Sequence, residues 1–207
     1  MPVHPEVSMD QQILTVAERL FLEKGFAMTS TTEIAKEAGC NQALVHYYFR
    51  TKARLFDAIF ENKFQLFILP FIAEQPEDTG LEAFLQKLIE SHFEILKSNP
   101  KTPVLFFNEL LTNPARLEHF KTHLAKVQHE LLQKIGRAIQ SEVHRGRNIS
   151  VKPLDLLITI FSLNVTLFLI TPLLQTGLKL SQDEINTLWD HRKRENVRII
   201  LTTIRSN

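Results

Sequence analysis

Residues 29–55 read TSTTEIAKEAGCNQALVHYYFRTKARL and contain the strongest structural signal in the chain. Ser30, followed three residues later by Glu33, forms a capping box that begins one short helix, and Gly39 ends that helix. Asn41 can cap a second short helix, QALVHYYF, just after the glycine-containing turn. Two short helices joined in this way predict a helix-turn-helix.

The second of these helices has a face suited to DNA. Apolar packing between the two helices is predicted for Ile34, Ala35, Ala38, Val45 and Phe49, which leaves Gln42, Ala43, His46 and Tyr47 facing outward. Glutamine can bond adenine through both amide groups, alanine can touch a thymine methyl, and histidine and tyrosine can donate to phosphates or base edges. Thr31, Thr32 and Lys52 lie at helix starts, where hydroxyls, backbone donors and a cation suit phosphate. A helical hairpin with a merely solvated polar face fits the same spacing.

Composition and charge limit the classes of protein to consider. The chain has 207 residues, 44% hydrophobic and 23% charged, as in ordinary globular proteins. The single cysteine, Cys40, allows no intrachain disulfide and fits a reducing compartment. Residues 1–12 lack the pattern of a secretory signal, so we expect a cytoplasmic protein. The 24 Lys and Arg against 23 Asp and Glu leave a net charge of +1, which argues against coating nucleic acid by bulk charge.

Helix signals continue along the chain, and strand signals are nearly missing. Residues 11–24 have amphipathic helical spacing and precede Gly25, a natural helix stop. Six further helix starts are indicated by caps or prolines at Thr51, Thr79, Thr102, Asn113, Pro153 and Ser181. We therefore predict an all-α fold of nine helices, with a three-helix N-terminal helix-turn-helix head in residues 1–51 and a larger C-terminal helical domain in residues 52–207.

One apolar stretch fits either a membrane span or a buried helix. Residues 156–178 contain no charged residue and by length alone can span a bilayer. They also contain polar side chains, among them Asn164 and Gln175, and Pro172 near the end. A helix that is apolar all round often lies deep in a protein core. We favour a buried helix over a membrane span and expect no membrane partner.

Longer motifs in residues 13–60 resemble the DNA-binding region of the tetracycline-repressor (TetR) family of bacterial transcriptional regulators. The matching motifs are LFLEKGF at the end of the first helix, TSTTxIAxxAG, the YYF that ends the third helix, and Lys52 with Leu55 in the fourth. The resemblance implies an all-α homodimer of nine helices. The first three helices would bind operator DNA, and the remaining helices would bind a ligand and the second subunit.

By position, the resemblance implies phosphate contacts for Thr31, Thr32, Tyr47 and Lys52 and base-facing roles for Gln42, Ala43 and Leu44. Two residues depart from the family pattern, which often has glycine at the position of Ala43 and tyrosine at that of His46. His46 stays among the DNA-binding candidates, although the usual tyrosine contact to the DNA backbone is absent. Because histidine titrates near neutral pH, we expect an operator affinity that changes with pH.

Aromatic residues are concentrated in the C-terminal part, where 12 of the 15 Phe lie after residue 50. Apolar walls with a few polar groups are typical of small-molecule sites. We expect such a pocket for an unknown effector to be lined by Phe67, Phe71, His92, Phe93, Phe106, Phe107, Phe120, Asn164 and Phe168. Each of these residues alone also fits ordinary core packing.

The last two predicted helices are expected to pair with a second copy in a four-helix interface. The residues expected there are Leu157, Phe161, Val165, Leu188, Trp189, Arg192, Ile199 and Ile200. Such a dimer places two recognition helices about 34 Å apart, or a multiple of that, so the operator should be a near-palindrome.

Enzymes and metal-binding proteins have less support in the sequence. The sequence has no glycine-rich phosphate loop or nucleophile elbow, so we expect neither an enzyme nor a cofactor. His119 and His123 have a spacing that can chelate a metal, but no third ligand is indicated, so we expect no metal site. Our leading hypothesis is a repressor that leaves its operator when a small, largely apolar ligand binds. The alternative is a helical small-molecule-binding or interaction protein without operator binding.

Overall fold

The computed structural model describes residues 8–73 and 80–205, with side chains described in residues 8–67 and 80–205. These residues form nine α-helices: α1 (Met9–Met28), α2 (Thr31–Glu37), α3 (Gln42–Phe49), α4 (Lys52–Ala73), α5 (Leu81–Ser98), α6 (Thr102–Thr112), α7 (Pro114–His144), α8 (Pro153–Leu178) and α9 (Gln182–Arg205). The predicted all-α fold of nine helices is confirmed. The cap predicted at Thr79 lies outside the described residues.

The chain divides into two compact units, residues 1–65 and 66–207. In the first unit, α1, α2, α3 and the start of α4 surround a core that includes Ile13, Leu20, Phe21, Ile34, Val45, Leu55, Phe56 and Phe60. The ring of Phe56 packs edge-on against Phe21 at 4.9 Å and Phe26 at 5.1 Å between centroids. This unit therefore includes part of α4, beyond residue 51, where we placed the boundary of the functional domain. That functional boundary stays a prediction.

Side-chain caps begin α2, α3 and α4, as predicted. Oγ of Ser30 accepts from the backbone N–H of Glu33 at 3.1 Å. Oδ1 of Asn41 accepts from that of Leu44 at 2.9 Å. Oγ1 of Thr51 caps α4 through the N–H of Arg54, 3.1 Å away. Each cap typically stabilises its helix by about 1 kcal/mol, so the limits of the helix-turn-helix are fixed locally.

Gly25 ends the regular part of α1, as predicted: its φ of 76° and ψ of 170° lie outside the helical region, and a further helical stretch continues to Met28. Left-handed backbone of this kind suits glycine. Thr102 does not cap α6: it lies in the helix, Lys101 takes the cap position, and Oγ1 of Thr102 is buried with no hydrogen-bond partner among the described residues.

In the second unit, α5 packs on α8 and α9, and α6 packs on α7 and α8. One core cluster draws on four of these helices and includes Leu85, Leu88, Ile89, Ile135, Ile139, Ile160 and Ile200. A second cluster includes Phe93, Val165, Phe168, Ile185 and Trp189. Ser181 and Glu184 begin α9 with a reciprocal capping box, as predicted.

Helix α8 is long and apolar enough to cross a membrane by length and composition. Its inner face lies in the core of the second unit, where Asn164 is fully buried. Nδ2 of Asn164 donates to the carbonyl of Ile89 in α5 at 3.0 Å, and Nε1 of Trp189 in α9 donates to Oγ1 of Thr171 at 3.2 Å. Such contacts suit a helix packed among other helices. That the protein has no membrane partner stays a prediction.

Candidate nucleic-acid interface

Helix α3 presents the face that the sequence predicts. Val45 is buried against the first-unit core, together with Ile34, Ala35 and Ala38. Gln42, Ala43, His46 and Tyr47 are exposed, and Leu44 is half-buried. Tyr47 is 68% exposed, although tyrosine side chains are on average partly buried. The orientation of α3 follows from its spacing of apolar residues, whereas contact of these side chains with DNA stays a prediction.

A hydrogen-bonded group of side chains joins α3 to the start of α2. Nε2 of Gln42 donates to Oγ1 of Thr31 at 3.0 Å. The same nitrogen lies 3.4 Å from Nε2 of His46, one helical turn further along α3. Oγ1 of Thr31 accepts from Gln42, so its own proton stays available for donation to a phosphate. Thr32, beside it at the start of α2, is exposed.

A strained turn follows α3. Arg50 has a φ of 63° and a ψ of −50°, and the N–H of Thr51 donates to the carbonyl of Phe49 at 2.7 Å. The positive φ of Arg50 and the hydrogen bond between its two neighbours define a γ-turn with positive φ, the rarer of the two forms. This conformation is strained for a residue with a side chain. Nδ1 of His46 lies 3.0 Å from the carbonyl oxygen of Arg50. Since a carbonyl only accepts, Nδ1 carries a proton, and in the neutral form of the ring Nε2 is an acceptor.

Lys52 has a structural role that the sequence did not reveal. Its Nζ donates to the carbonyls of Phe26 and Thr29, both at 2.9 Å, and lies 4.3 Å from the centroid of the Phe26 ring. Carbonyls at a helix end are satisfied by a cation placed in this way. Lys52 thus ties the start of α4 to the end of α1. An ammonium has three donors, so one remains for the predicted phosphate contact.

Ion pairs within the first unit neutralise the acidic side chains of α2. Arg19 of α1 pairs with Glu37, and Lys24 pairs with Glu33. The hydrogen bond from Lys24 lowers the pKa of Glu33. Arg50 and Arg54, by contrast, are exposed beside the end of α3. The exposed α3 face therefore combines placed donors with a small basic cluster, in a unit without a general positive charge.

The residues predicted to line a ligand pocket are mostly buried. His92, Phe93, Phe120, Asn164 and Phe168 are at most 1% exposed and Phe106 is 9% exposed; Phe67 and Phe107 are half-buried. The side chain of Phe71 lies outside the described residues. The rings pack on one another, with Phe67 and Phe106 at 5.5 Å and Phe93 and Phe168 at 5.2 Å between centroids. The structure brings several of these residues together as closed core.

Two cavities lie elsewhere in the second unit. One of about 120 Å³ is lined by residues at the start of α5 and the end of α7, including Leu81, Ala138 and Glu142. A groove of about 570 Å³ runs between the end of α8 and the start of α9, including Leu174, Leu178 and Leu188. Neither includes a residue of the predicted pocket. A ligand in the predicted pocket would therefore have to part the aromatic cluster.

A buried polar chain crosses the second unit, and sequence reasoning found only part of it. Nδ2 of Asn164 lies 3.3 Å from Nδ1 of His92, and Nδ2 of Asn196 donates to Oδ1 of Asn164 at 3.0 Å. Nη2 of Arg192 donates to Oδ1 of Asn196 at 2.9 Å. Burial lowers the pKa of His92 to about 3, so this ring is neutral near pH 7. The spacing of α9 places Asn196 on the same side as Trp189 and Ile200, but its bond to Asn164 was not predicted, because no local spacing links residues of two different helices.

The residues predicted for the dimer interface divide into two groups. Val165, Trp189 and Ile200 are at most 4% exposed. Their side chains are directed into the core of their own chain, which differs from the expectation that they would contact a partner. Phe161 is 43% exposed, and Leu157, Leu188, Arg192 and Ile199 are half-buried. Exposed apolar side chains that the sequence reasoning did not select include Leu154, Ile158 and Leu173 of α8.

Among the described residues, no group of three or more His, Cys, Asp or Glu side chains could hold a metal ion. His119 and His123 are exposed on α7, on either side of the buried Phe120.

Comparison with known proteins agrees with the geometry of the first unit. Residues 13–59 match the family described as bacterial regulatory proteins, tetR family. The chain is 32% identical to the nucleoid occlusion factor SlmA of Mannheimia succiniciproducens over 111 residues, which is 52% of this chain. That match covers 51% of the other protein, so the chain spans about half the length of this curated relative.

Two further similarities extend into the second unit. The chain is 23% identical to the HTH-type transcriptional activator FasR of Mycolicibacterium smegmatis over 141 residues, covering 68% of this chain and 64% of that protein. Its fold is similar to that of the transcriptional regulator FadR from Bacillus subtilis in complex with stearoyl-CoA. The TM-score is 0.68 at 18% identity, with 93% of this chain and 98% of that chain covered.

Proposed function

The chain belongs to the tetR family of bacterial regulatory proteins, and we propose that it represses transcription as an operator-bound dimer that a small apolar ligand releases. The observation that carries this proposal is the exposed face of α3. Gln42, Ala43 and Tyr47 stand on a helix that the buried Val45 anchors to the first unit. An exposed helix of this kind fits the major groove of DNA.

The proposed contacts fall into two classes. Gln42, Ala43 and Leu44 read base edges, while Thr31, Thr32, Tyr47 and Lys52 hold phosphates. Phosphate contacts set the register of the protein on the duplex, and base contacts select the sequence. Of these proposed phosphate contacts Lys52 alone is cationic, so few counterions are released, and the salt dependence of binding is modest for a DNA-binding protein.

Selection from a library of random duplexes tests the DNA-binding function. The purified protein is incubated with the library, and the bound fragments are sequenced over several rounds. We expect a near-palindrome whose half-sites are about 10 bp apart, or a multiple of that, from centre to centre. Recovery of fragments with no common sequence contradicts the proposal and favours the alternative of a helical interaction protein.

The proposed dimer uses the exposed side of α8. Leu154, Ile158 and Phe161 are 49%, 54% and 43% exposed, and their spacing places them on one side of the helix. Apolar side chains with this exposure are typical of a surface that a partner covers. A second copy that binds there through the same surface gives the two-fold symmetry that a near-palindrome requires.

The proposed effector enters the aromatic cluster of the second unit. A protein of the same fold, FadR, is described in complex with stearoyl-CoA, which makes stearoyl-CoA a reasonable first probe. A ligand releases DNA only if it binds the DNA-free form more tightly than the DNA-bound form, and couplings of this kind are typically about 1–3 kcal/mol. We expect stearoyl-CoA to lower operator affinity about 5- to 150-fold. Unchanged affinity with saturating stearoyl-CoA would exclude that class of effector.

A second candidate function follows from the similarity to the nucleoid occlusion factor of Mannheimia succiniciproducens. Selection from random duplexes tests only DNA binding, so it does not separate the two candidates. A reporter gene placed behind a selected site does. A repressor lowers expression of the reporter, an activator raises it, and a factor that does not regulate transcription leaves it unchanged.

A further inference from the structure

We infer that His46 determines which base Gln42 reads, by holding the Gln42 amide in one orientation. This inference rests on the proposed function, because it concerns the base contacts of the same α3 face. His46 is then a positioning residue, which acts on the DNA through Gln42.

The orientation of the amide follows from the strained turn after α3. Nδ1 of His46 is 3.0 Å from the carbonyl oxygen of Arg50, which fixes the proton on Nδ1. In the neutral ring Nε2 is then an acceptor, and it lies 3.4 Å from Nε2 of Gln42. An amide nitrogen can only donate. The opposite orientation would place Oε1 of Gln42 against a second acceptor, so the ring selects the orientation with nitrogen toward it.

The two protons of the Gln42 amide are both directed at protein acceptors. One is donated to Oγ1 of Thr31, 3.0 Å away, and the other is directed at Nε2 of His46. The amide oxygen, Oε1, is then the hydrogen-bonding group of Gln42 that DNA can use. Turning the amide toward a base so that its nitrogen donates would break both internal contacts.

A glutamine that offers only its amide oxygen recognises different bases from one whose amide N–H groups are also free. In the major groove, adenine and cytosine each present an amino group as donor, whereas guanine and thymine present carbonyl oxygens at the corresponding position. Gln42 held by His46 therefore accepts either adenine or cytosine. A free glutamine amide bonds adenine at two points, because it donates to N7 while it accepts from N6. His46 thus broadens the preference from adenine to adenine or cytosine.

Base preference in a double-mutant cycle tests this assignment. Duplex selection is performed with the unmodified protein and with the variants His46→Ala, Gln42→Ala and Gln42→Ala/His46→Ala. We expect His46→Ala to shift one symmetric pair of positions from adenine or cytosine toward adenine, by about tenfold in relative affinity. In the Gln42→Ala background, the His46→Ala change should leave the preference at those positions unaltered.

Two outcomes overturn the inference while the proposed function stands. In one, His46→Ala weakens binding to all sequences alike and leaves the preference intact. In the other, it shifts the preference equally in the Gln42→Ala background. If no variant selects any sequence, the proposed function itself fails, and the inference fails with it.

A measurement without DNA separates these failures further. The ¹⁵N chemical shifts of the His46 ring in the free protein report which nitrogen carries the proton. We expect the proton on Nδ1, and a proton on Nε2 overturns the inference whatever the DNA results are.

Loss of the His46 bond to Arg50 can also destabilise the strained turn. The cycle is therefore repeated in an Arg50→Gly background, because glycine adopts positive φ without strain, with Arg50→Gly alone as its matched control. The same shift toward adenine in this background supports the inference, and its absence there contradicts it.

Discussion

At the scale of single residues, Lys52 shows how one side chain can serve stability and binding together. Its ammonium satisfies two carbonyls at the end of α1 and keeps one donor for a phosphate. Sequence reasoning assigned only the phosphate contact. The carbonyls of Phe26 and Thr29 lie more than 20 positions away, and no local spacing links them to Lys52.

We expect Lys52→Ala to lower the free energy of unfolding of the first unit by about 2 kcal/mol, because two charge-assisted hydrogen bonds are lost in a half-buried place. Urea unfolding, followed by circular dichroism, measures the change. Lys36→Ala, which removes an exposed lysine of α2, is the matched control and should change stability by less than about 0.5 kcal/mol. Equal effects of the two substitutions would show that the contacts of Lys52 contribute no stability.

The phosphate contact of Lys52 has its own test. Each neutralised phosphate contributes about 1 to the slope of log affinity against log salt, so loss of Lys52 from both subunits of the proposed dimer reduces the slope by about 2. Titrations of the selected duplex at several salt concentrations give this slope for Lys52→Ala and for the unmodified protein. An unchanged slope together with weaker binding would mean that Lys52 acts only by tying α4 to α1.

At the scale of elements, local sequence signals predicted helices well. Ser30, Asn41, Thr51, Asn113 and Ser181 all make the predicted cap bonds, because a cap depends on residues within three positions. The buried and exposed sides of α3 were also predictable, since the spacing of residues alone places Val45 on the side opposite Gln42, His46 and Tyr47.

Contacts between distant helices were not predictable in the same way. On α8 and α9, apolar residues occur on several sides, so periodicity did not separate the inner face from the outer one. Val165, Trp189 and Ile200 were therefore assigned to a partner although they fill their own core. The hydrogen bonds of Gln42 and His46 depend on a turn geometry at Arg50 that no composition rule indicates.

The buried ring of His92 on α5 predicts a pH dependence of stability. Its pKa is about 3 in the folded protein, against an ordinary value of 6.5, so the unfolded chain binds the proton first as pH falls. The free energy of unfolding therefore falls as the pH drops below 6.5. His92 accounts for a loss of about 2 kcal/mol between pH 7.5 and pH 5. Urea unfolding at these two pH values measures the loss.

Substitution of His92 identifies the source of that loss. We expect His92→Gln to remove most of the pH dependence between pH 7.5 and 5, while His119→Gln, at an exposed site, retains it. The carboxyl of Glu82 does not interfere. Hydrogen bonds from Arg205 and Arg147 lower the pKa of Glu82 to about 2, so the contribution of Glu82 to the free energy of unfolding changes only below pH 4.5. A His92→Gln variant that loses stability as the unmodified protein does would contradict this assignment.

At the scale of the whole molecule, the proposed dimer makes the exposed side of α8 essential. Ile158→Glu would bury two like charges near the two-fold axis without partners, so we expect dissociation of the dimer. Sedimentation equilibrium measures the oligomeric state. Leu111→Glu, at a 78% exposed position on α6, is the matched control and should leave the dimer intact. A dimer that persists in Ile158→Glu would place the interface on another surface.

The central claim is that the exposed face of α3 reads a specific DNA sequence. Its most direct test is a fluorescence-anisotropy titration of the selected duplex and of a scrambled duplex of equal composition, at one fixed salt concentration. We expect the selected duplex to bind at least about 1,000-fold more tightly. Gln42→Ala should reduce that ratio, whereas Gln86→Ala, on an exposed position of α5, should preserve it. Equal affinity for the two duplexes, or an unchanged ratio in Gln42→Ala, would contradict the claim.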